Sequence, residues 1–91
     1  MQKLKKIKTP VLFAGSSASY DVFLDQTGLK PSQVTRVVTL EKLHGFQNTT
    51  LFYSYNFNWI RHDKAVAGYC RDHNIVMLDS SLDGLLNLRF V

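Results

Sequence analysis

Two hydroxyl-rich segments of the sequence each follow an apolar run and could bind a ligand. The first is Gly15-Ser16-Ser17-Ala18-Ser19, and the second is Asp79-Ser80-Ser81. Where such a segment opens a helix, the free backbone N–H groups and the helix dipole favour a bound phosphate or carboxylate. Serine at the start of a helix also caps it without any ligand, so capping alone stays open as the alternative.

The glycine patterns of phosphate-binding loops are missing from both segments. The first segment keeps Gly15 but lacks the other glycines of a dinucleotide-binding loop, and neither contains the Gly-Lys-Ser/Thr of a P-loop. Without those glycines a pyrophosphate cannot come as close to the backbone. The two segments therefore predict a ligand site in general terms and not a specific nucleotide.

No arrangement of residues points to a particular reaction. His44, His62 and His73 lack the spacing of metal ligands, and Cys70 with His73 would supply only two ligands on one helix. Asp79 is the best single carboxylate for a general base, because it follows an apolar strand. The sequence therefore predicts no metal site and no cofactor, and it leaves open whether the chain is an enzyme.

Aromatic residues recur at every second position from Tyr53 through Tyr55 and Phe57 to Trp59. If the strand runs that far, a period of two puts all four rings on one face. Such a face could contact a second copy or another protein, because these ring types are enriched in interfaces. Alternatively the strand ends near Tyr55, and most of the rings pack in the core. Base stacking is a third interpretation, which the neutral charge of the surrounding chain disfavours.

Positive charge is concentrated at the start of the chain. The net charge is +4, and Lys3, Lys5, Lys6 and Lys8 account for four basic residues, which leaves seven basic and seven acidic ones further on. We expect residues 1–9 to form a basic leader, solvated and partly frayed. The alternative is an arm that binds phosphate, which makes a nucleic acid a possible partner.

The composition is that of an ordinary globular protein, with 45% hydrophobic and 20% charged residues. Cys70 is the only cysteine, which excludes an internal disulfide and fits a reducing compartment. The sequence contains neither a signal-peptide pattern nor an apolar run long enough to cross a bilayer. We therefore expect a cytoplasmic protein that does not contact a membrane.

Apolar runs and helical spacings alternate along the chain. Four runs predict strands at 11–14, 34–38, 51–55 and 75–78, and helices are expected before Gly28, after Thr39, over 62–73 and around 82–86. Alternation of this kind predicts an α/β fold over residues 10–91, a sandwich with a four-stranded, mainly parallel sheet and helices packed on it. The alternative pairs 34–39 with 51–55 as an antiparallel hairpin, because roughly twelve residues between them barely hold a crossover helix.

In an open parallel sheet, ligands bind beyond the carboxyl ends of the strands. This rule selects the polar residues that follow the predicted strands, and Arg61 stands close enough along the chain to reach a phosphate there. The predicted ligand-binding residues are Ser16, Ser17, Ser19, Asn56, Arg61, Asp79 and Ser80.

The order of these segments resembles that of a group of small proteins. Small Rossmann-like orphan proteins of bacteriophage genomes have a similar order of segments. The segments that carry the resemblance are, in chain order, Val11-Leu12-Phe13-Ala14-Gly15-Ser16, Val37-Val38-Thr39 with Leu43-His44-Gly45-Phe46, and Ile75-Val76-Met77-Leu78. The resemblance implies a Rossmann-like sandwich and a phage setting. Members of that group mostly lack an assigned activity, so it assigns no role to any residue.

Two functions follow from these observations as expectations. The first is a small binding or regulatory module that is oligomeric, encoded by a phage, and acts through protein contacts of the aromatic row. The second is a nucleotide-binding or phosphate-ester-binding protein, or a small enzyme, that uses the serine-rich turns between strand and helix.

Overall fold

The protein alternates strands and helices along nearly its whole length. The computed structural model describes the backbone of residues 5–91 and the side chains of all these except Lys5, Asn58, Arg61 and Leu82. The elements are β1 (Lys5–Ile7), β2 (Val11–Ala14), α1 (Ser17–Thr27), β3 (Val34–Arg36), β4 (Thr49–Tyr53), α2 (Lys64–Asp72), β5 (Ile75–Asp79), α3 (Leu82–Leu85) and β6 (Leu88–Phe90), with 3₁₀ segments at Pro31–Gln33, Leu40–Leu43 and Tyr55–His62.

The main sheet contains four parallel strands in the order β3-β2-β4-β5. Leu12 pairs with Thr35 of β3 on one side and with Leu51 of β4 on the other. This arrangement confirms the predicted α/β class and the four-stranded parallel sheet. The alternative hairpin is wrong, because β2 lies between β3 and β4 and both run parallel to it.

The crossovers on the two sides of the central strand β2 run in opposite directions. It first crosses to β3 by way of α1, and it later returns past β2 to β4 and continues outward to β5 by way of α2. Crossover connections between parallel strands are right-handed, so two that run in opposite directions along a sheet cover opposite faces of it. Accordingly Phe23 of α1 belongs to one buried cluster, and Val66 and Cys70 of α2 belong to the other.

Aromatic rings form the centre of the α1 face. The ring of Phe23 lies 4.8 Å from that of Phe13 and 5.1 Å from that of Phe52, measured between centroids. Phe90 of β6 adds its ring at 5.8 Å from Phe52. Since Phe13 and Phe52 come from neighbouring strands, this cluster fixes α1 over the β2–β4 pair.

The link between β3 and β4 crosses the opposite face without an α-helix. A short helix was predicted after Thr39, and the structure has the 3₁₀ segment Leu40–Leu43 there, with no side-chain hydrogen bond from Thr39. Leu43 is buried in the cluster that contains Leu12. Gly45 has a φ of 94° and reverses the chain shortly afterwards, which leaves no room for a longer helix.

Strand β4 ends at Tyr53, so the aromatic residues do not share one face. Tyr53 is buried, Phe57 packs against the α2-side cluster, and Tyr55 and Trp59 are exposed. The chain turns at Ser54 into the 3₁₀ segment Tyr55–His62, which is kinked at Phe57. A strand that continues to Trp59 is therefore wrong, and the alternative in which it stops near Tyr55 is confirmed, although only two of the four rings, Tyr53 and Phe57, pack in the core.

Capping residues fix both ends of α1 and the start of α2. Ser16 accepts a hydrogen bond at its Oγ from the Ser19 backbone N–H at 3.2 Å, and Gly28 closes α1 with a φ of 72°. Asp63 accepts the backbone N–H groups of Ala65 and Val66, so α2 begins at Lys64 and not at His62.

A second, two-stranded sheet lies on the α1 face. Strand β1 pairs in parallel with β6, and the Ile7 side chain is buried among the residues of the aromatic cluster. The Val91 backbone N–H donates to the Ile7 carbonyl at 2.9 Å. Residues 5–7 of the expected leader therefore form a strand. The sequence does not indicate this strand, because a run of three residues is too short to show a strand pattern. Lys3 lies outside the described residues.

We expect Phe23→Ala to lower the free energy of unfolding by about 3–5 kcal/mol, because it removes the ring that joins α1 to two strands. Tyr55→Ala is the control, since its ring is 89% exposed; it should change stability by no more than about 0.5 kcal/mol. Urea denaturation measures both, and equal losses would contradict the assignment of Phe23 to the centre of this core.

Candidate functional site

An open cleft of about 440 Å³ lies at the carboxyl ends of β2, β4 and β5. One wall is the side of α1 that carries Ala18, Val22 and Phe23, and the opposite wall is formed by the segment that follows β5. The position is the one at which the strand order reverses, where open α/β sheets bind their ligands. The polar side chains that line it are Ser19, Gln26, Ser54, Tyr55, Asp79, Ser80 and Ser81.

The floor of the cleft depends on a glycine. A Cβ atom at Gly15 would lie 2.6 Å from Phe13 Cε2 and 2.9 Å from Ser54 Oγ, which is too close for either contact. Gly15 is therefore required by close packing and not by an unusual backbone angle. Its missing side chain leaves room for the Phe13 ring and the Ser54 hydroxyl, which both approach Gly15 beyond the end of β2.

Ser54 is the most unusual residue of the cleft. It is 7% exposed, and its Oγ is buried without a hydrogen-bond partner among the described residues. Its backbone N–H donates to the Ala14 carbonyl at 2.9 Å, which fixes the residue against the end of β2. A buried hydroxyl that makes no hydrogen bond costs about 1–3 kcal/mol. The fold therefore holds an unsatisfied polar group beside the space in which a ligand would sit.

Asp79 gives the cleft a negative charge. Its Oδ1 accepts the Ser81 backbone N–H at 3.0 Å, and the neighbouring Ser80 N–H donates to the Tyr53 carbonyl at 3.0 Å. These two bonds hold the turn between β5 and α3 against the end of β4. Asp79 is the only charged side chain among the described residues that line the cleft, so no cation opposes it there.

Three of the predicted ligand-binding residues meet in this cleft. Ser19, Asp79 and Ser80 line it, although they come from α1 and from the end of β5. Ser16 stands next to it and donates from its Oγ to the Ser19 Oγ at 3.1 Å. The rule that ligands bind beyond the strand ends selected these residues from sequence because they follow β2 and β5.

The other predicted residues do not line the cleft. Ser17 is exposed at the first position of α1, and Asn56 is exposed on the 3₁₀ segment Tyr55–His62. The side chain of Arg61 lies outside the described part of the chain.

Sequence reasoning missed Ser54, the buried serine that lines the cleft. Ser54 follows β4 directly, so the same rule would have selected it if the strand had been ended at Tyr53. Arg36 was also missed. Its Nε donates to the Gly15 carbonyl at 2.9 Å, which places a guanidinium beside the turn before α1 and on the β3 side of β2.

Cys70 and the nearby histidine form no catalytic pair. Cys70 is buried beneath α2, and burial raises the pKa of its thiol above the ordinary value, so the thiol stays protonated at neutral pH. His73 stacks on Tyr69 with ring centroids 3.9 Å apart, and its Nδ1 lies 2.9 Å from the Tyr69 carbonyl. Both residues are occupied by packing within the α2 layer.

Comparison of the chain with protein-family models, with curated proteins and with solved structures gave no match. Within residues 5–91, none of the helices is both long and apolar enough to cross a membrane. The same residues contain no group of three or more His, Cys, Asp or Glu side chains placed to hold a metal ion.

We expect Gly15→Ala to destabilise the protein by about 1–3 kcal/mol, because the added methyl group must displace the Phe13 ring or Ser54. The control is Gly68→Ala in α2, where the nearest atom to a new Cβ is Arg71 Nη2 at 3.9 Å. Alanine favours a helix, so the control should gain up to about 1 kcal/mol. Thermal unfolding distinguishes the two, and a neutral Gly15→Ala would contradict the close packing of the floor.

Proposed function

We propose that this protein binds a small organic molecule in the cleft, and that the molecule is uncharged or cationic, with an apolar part and hydrogen-bond donors. The observation that carries the proposal is the buried hydroxyl of Ser54, which has no hydrogen-bond partner among the described residues. Buried polar groups in native proteins are nearly always satisfied, and an exception at the floor of a cleft calls for a ligand.

The shape and lining of the cleft support a small ligand. Its volume of about 440 Å³ falls within the range of roughly 300–1,000 Å³ that is typical of ligand pockets. Phe13, Val22 and Phe23 offer apolar contact, while Ser54 and the Asp79-Ser80 turn offer a few polar groups. A mainly apolar pocket with a small number of polar groups is the usual composition of such sites.

The charge of the cleft favours an amine or a hydroxyl over the phosphate expected from the serine-rich turns. Asp79 is exposed at the edge of the cleft, and a phosphate oxygen about 4 Å from its carboxylate would be repelled by roughly 1–4 kcal/mol. None of the described lining residues is cationic and could offset that repulsion. An ammonium or hydroxyl group instead donates a hydrogen bond to Asp79.

Ser54 lines the cleft, and its buried hydroxyl would meet a ligand by rotating to another staggered position about its Cα–Cβ bond. Such a rotation breaks no hydrogen bond to the described residues, since the Oγ makes none with them. The free energy recovered by satisfying the hydroxyl is then available to the ligand.

Three probes that share a phenyl ring test the proposal: benzyl alcohol, benzylamine and phenyl phosphate. We expect benzylamine to bind best and phenyl phosphate worst, in titrations that follow the backbone amide resonances of Ser19, Ser54 and Ser80. Asp79→Asn keeps an oxygen to accept the Ser81 N–H and should remove the preference for the amine. Tightest binding by phenyl phosphate, or shifts confined to residues away from the cleft, would contradict the proposal.

Ser54→Ala separates a binding role from a structural one. The variant should bind the preferred probe about five-fold more weakly, which corresponds to one hydrogen bond of about 1 kcal/mol. Its melting temperature should stay the same or rise, because the removed hydroxyl makes no hydrogen bond to the described residues. Ser32→Ala, at an exposed position outside the cleft, is the matched control. A clear loss of stability in Ser54→Ala with unchanged binding would contradict the proposed role.

A second candidate function is self-association through the exposed part of the aromatic row. Trp59 is 52% exposed, and its ring lies 6.0 Å from that of Phe57. Exposed aromatic side chains of this size are enriched in protein interfaces. We expect sedimentation velocity to detect a larger species as concentration rises, and Trp59→Ser to suppress it. A monomer throughout the concentration range would contradict this candidate.

A further inference from the structure

The opposite end of the sheet carries two adjoining grooves of about 290 and 190 Å³. They lie at the amino ends of β4 and β5 and beside the segment that joins β1 to β2. Lys8, Asn48 and Thr49 line both grooves, so the two form one continuous depression. Lys6 adds a second ammonium group to the smaller groove, and no acidic side chain lines either of them within the described chain.

The β1–β6 sheet brings further positive charge to this end. Lys6 is paired in register with Arg89, so the two side chains leave the same side of the sheet, and both are exposed. Lys8 follows two residues after Lys6 and is exposed as well. Like charges placed directly opposite each other on neighbouring strands destabilise a sheet. The only ion pair among the described residues joins Arg71 to Asp72 on α2, so none of these three cations is neutralised by a carboxylate.

Amide side chains complete the grooves. Asn74 donates from Nδ2 to Asn48 Oδ1 at 3.0 Å, and this bond ties together the turns that precede β4 and β5. Both asparagines have a φ of 54°, a backbone angle that Asn tolerates better than most residues. Asn48 is exposed, and Gln47 lines the larger groove beside it. The grooves therefore present ammonium and amide donors, and no acidic side chain of the described residues lines them.

We propose that this basic surface, defined by Lys6, Lys8, Asn48, Asn74 and Arg89, binds the phosphodiester backbone of a nucleic acid. Charge complementarity carries the inference, because cations held together against their own repulsion are stabilised by a polyanion. Two grooves that share Lys8 suit successive phosphates of an extended strand better than one isolated anion. Contacts of this type go to the backbone, so binding is independent of sequence. The surface lies at the other end of the strands from the ligand cleft and is independent of it.

The test titrates the full chain into a fluorescein-labelled single-stranded oligonucleotide and records fluorescence anisotropy at salt concentrations between about 50 and 200 mM. If the surface contacts about three phosphates, the slope of log K against log salt should be near −2. The variant Lys6→Gln/Lys8→Gln should weaken binding by about ten-fold or more at the lower salt concentration and reduce the slope by about 1–2. The matched control is Lys42→Gln/Lys64→Gln, which removes the same charge from exposed positions that line neither groove.

Three results would overturn the proposal: no binding at the lower salt concentration, equal weakening in the control variant, or affinity without salt dependence. Vesicles of phosphatidylserine and phosphatidylcholine form a parallel arm, and tighter binding to them than to the oligonucleotide would assign the surface to a membrane instead. Melting temperatures accompany each variant. Lys6→Gln should leave stability unchanged or raise it, because it relieves the repulsion from Arg89, and a fall would indicate that Lys6 serves the fold.

Discussion

The central position of β2 is the constraint on which the rest of this structure depends. Its four residues are fully buried, with Val11 and Phe13 facing α1 and Leu12 and Ala14 facing α2. Because β2 is paired on both sides, the chain crosses from β2 to β3 in one direction and from β3 past β2 to β4 in the other. The two crossovers then cover opposite faces, and a crevice opens where they part, beside Gly15 and Ser54.

Much of this fold could be predicted from the sequence, because strong local patterns coincide with strong tertiary requirements. The run at 11–14 is apolar at every position since both faces of β2 are covered, and such a run is typical of a central parallel strand. Ser16 caps the start of α1 through its side-chain hydroxyl, and Gly28 ends the helix in a left-handed conformation that few other residues adopt. The rule that ligands lie beyond strand ends then selected Ser19, Asp79 and Ser80.

The remaining features depend on contacts between distant segments. Nothing local in residues 5–7 indicates a strand, because β1 exists through its pairing with β6 at the other end of the chain. The alternation from Tyr53 to Trp59 left open whether the strand continues past Tyr55, and the structure ends it at Tyr53, where the chain turns at Ser54. Ser54 lies close to Gly15 and has no hydrogen-bond partner among the described residues, and no sequence pattern expresses either feature. The Rossmann-like identity, the phage setting and the cytoplasmic location stay predictions.

The two ends of the sheet differ in charge. The cleft at the carboxyl end carries Asp79 and serine hydroxyls, with Arg36 outside it at the end of β3, while the amino end carries Lys6, Lys8 and Arg89 with amide side chains. The parallel arrangement produces this separation, because every strand begins at one end and finishes at the other. A small ligand and a polyanion can therefore bind the same molecule without competing for a surface.

The most direct test of this account is an NMR measurement of which strands flank β2. In isotopically labelled protein, the amide and Hα protons of residues 11–14 should give cross-strand contacts to both 34–36 and 49–53, in the parallel registers that pair Leu12 with Thr35 and with Leu51. Direct contacts between 34–36 and 49–53, or the Hα–Hα contacts of an antiparallel pair, would contradict it. Either result would remove the crevice in which the cleft lies.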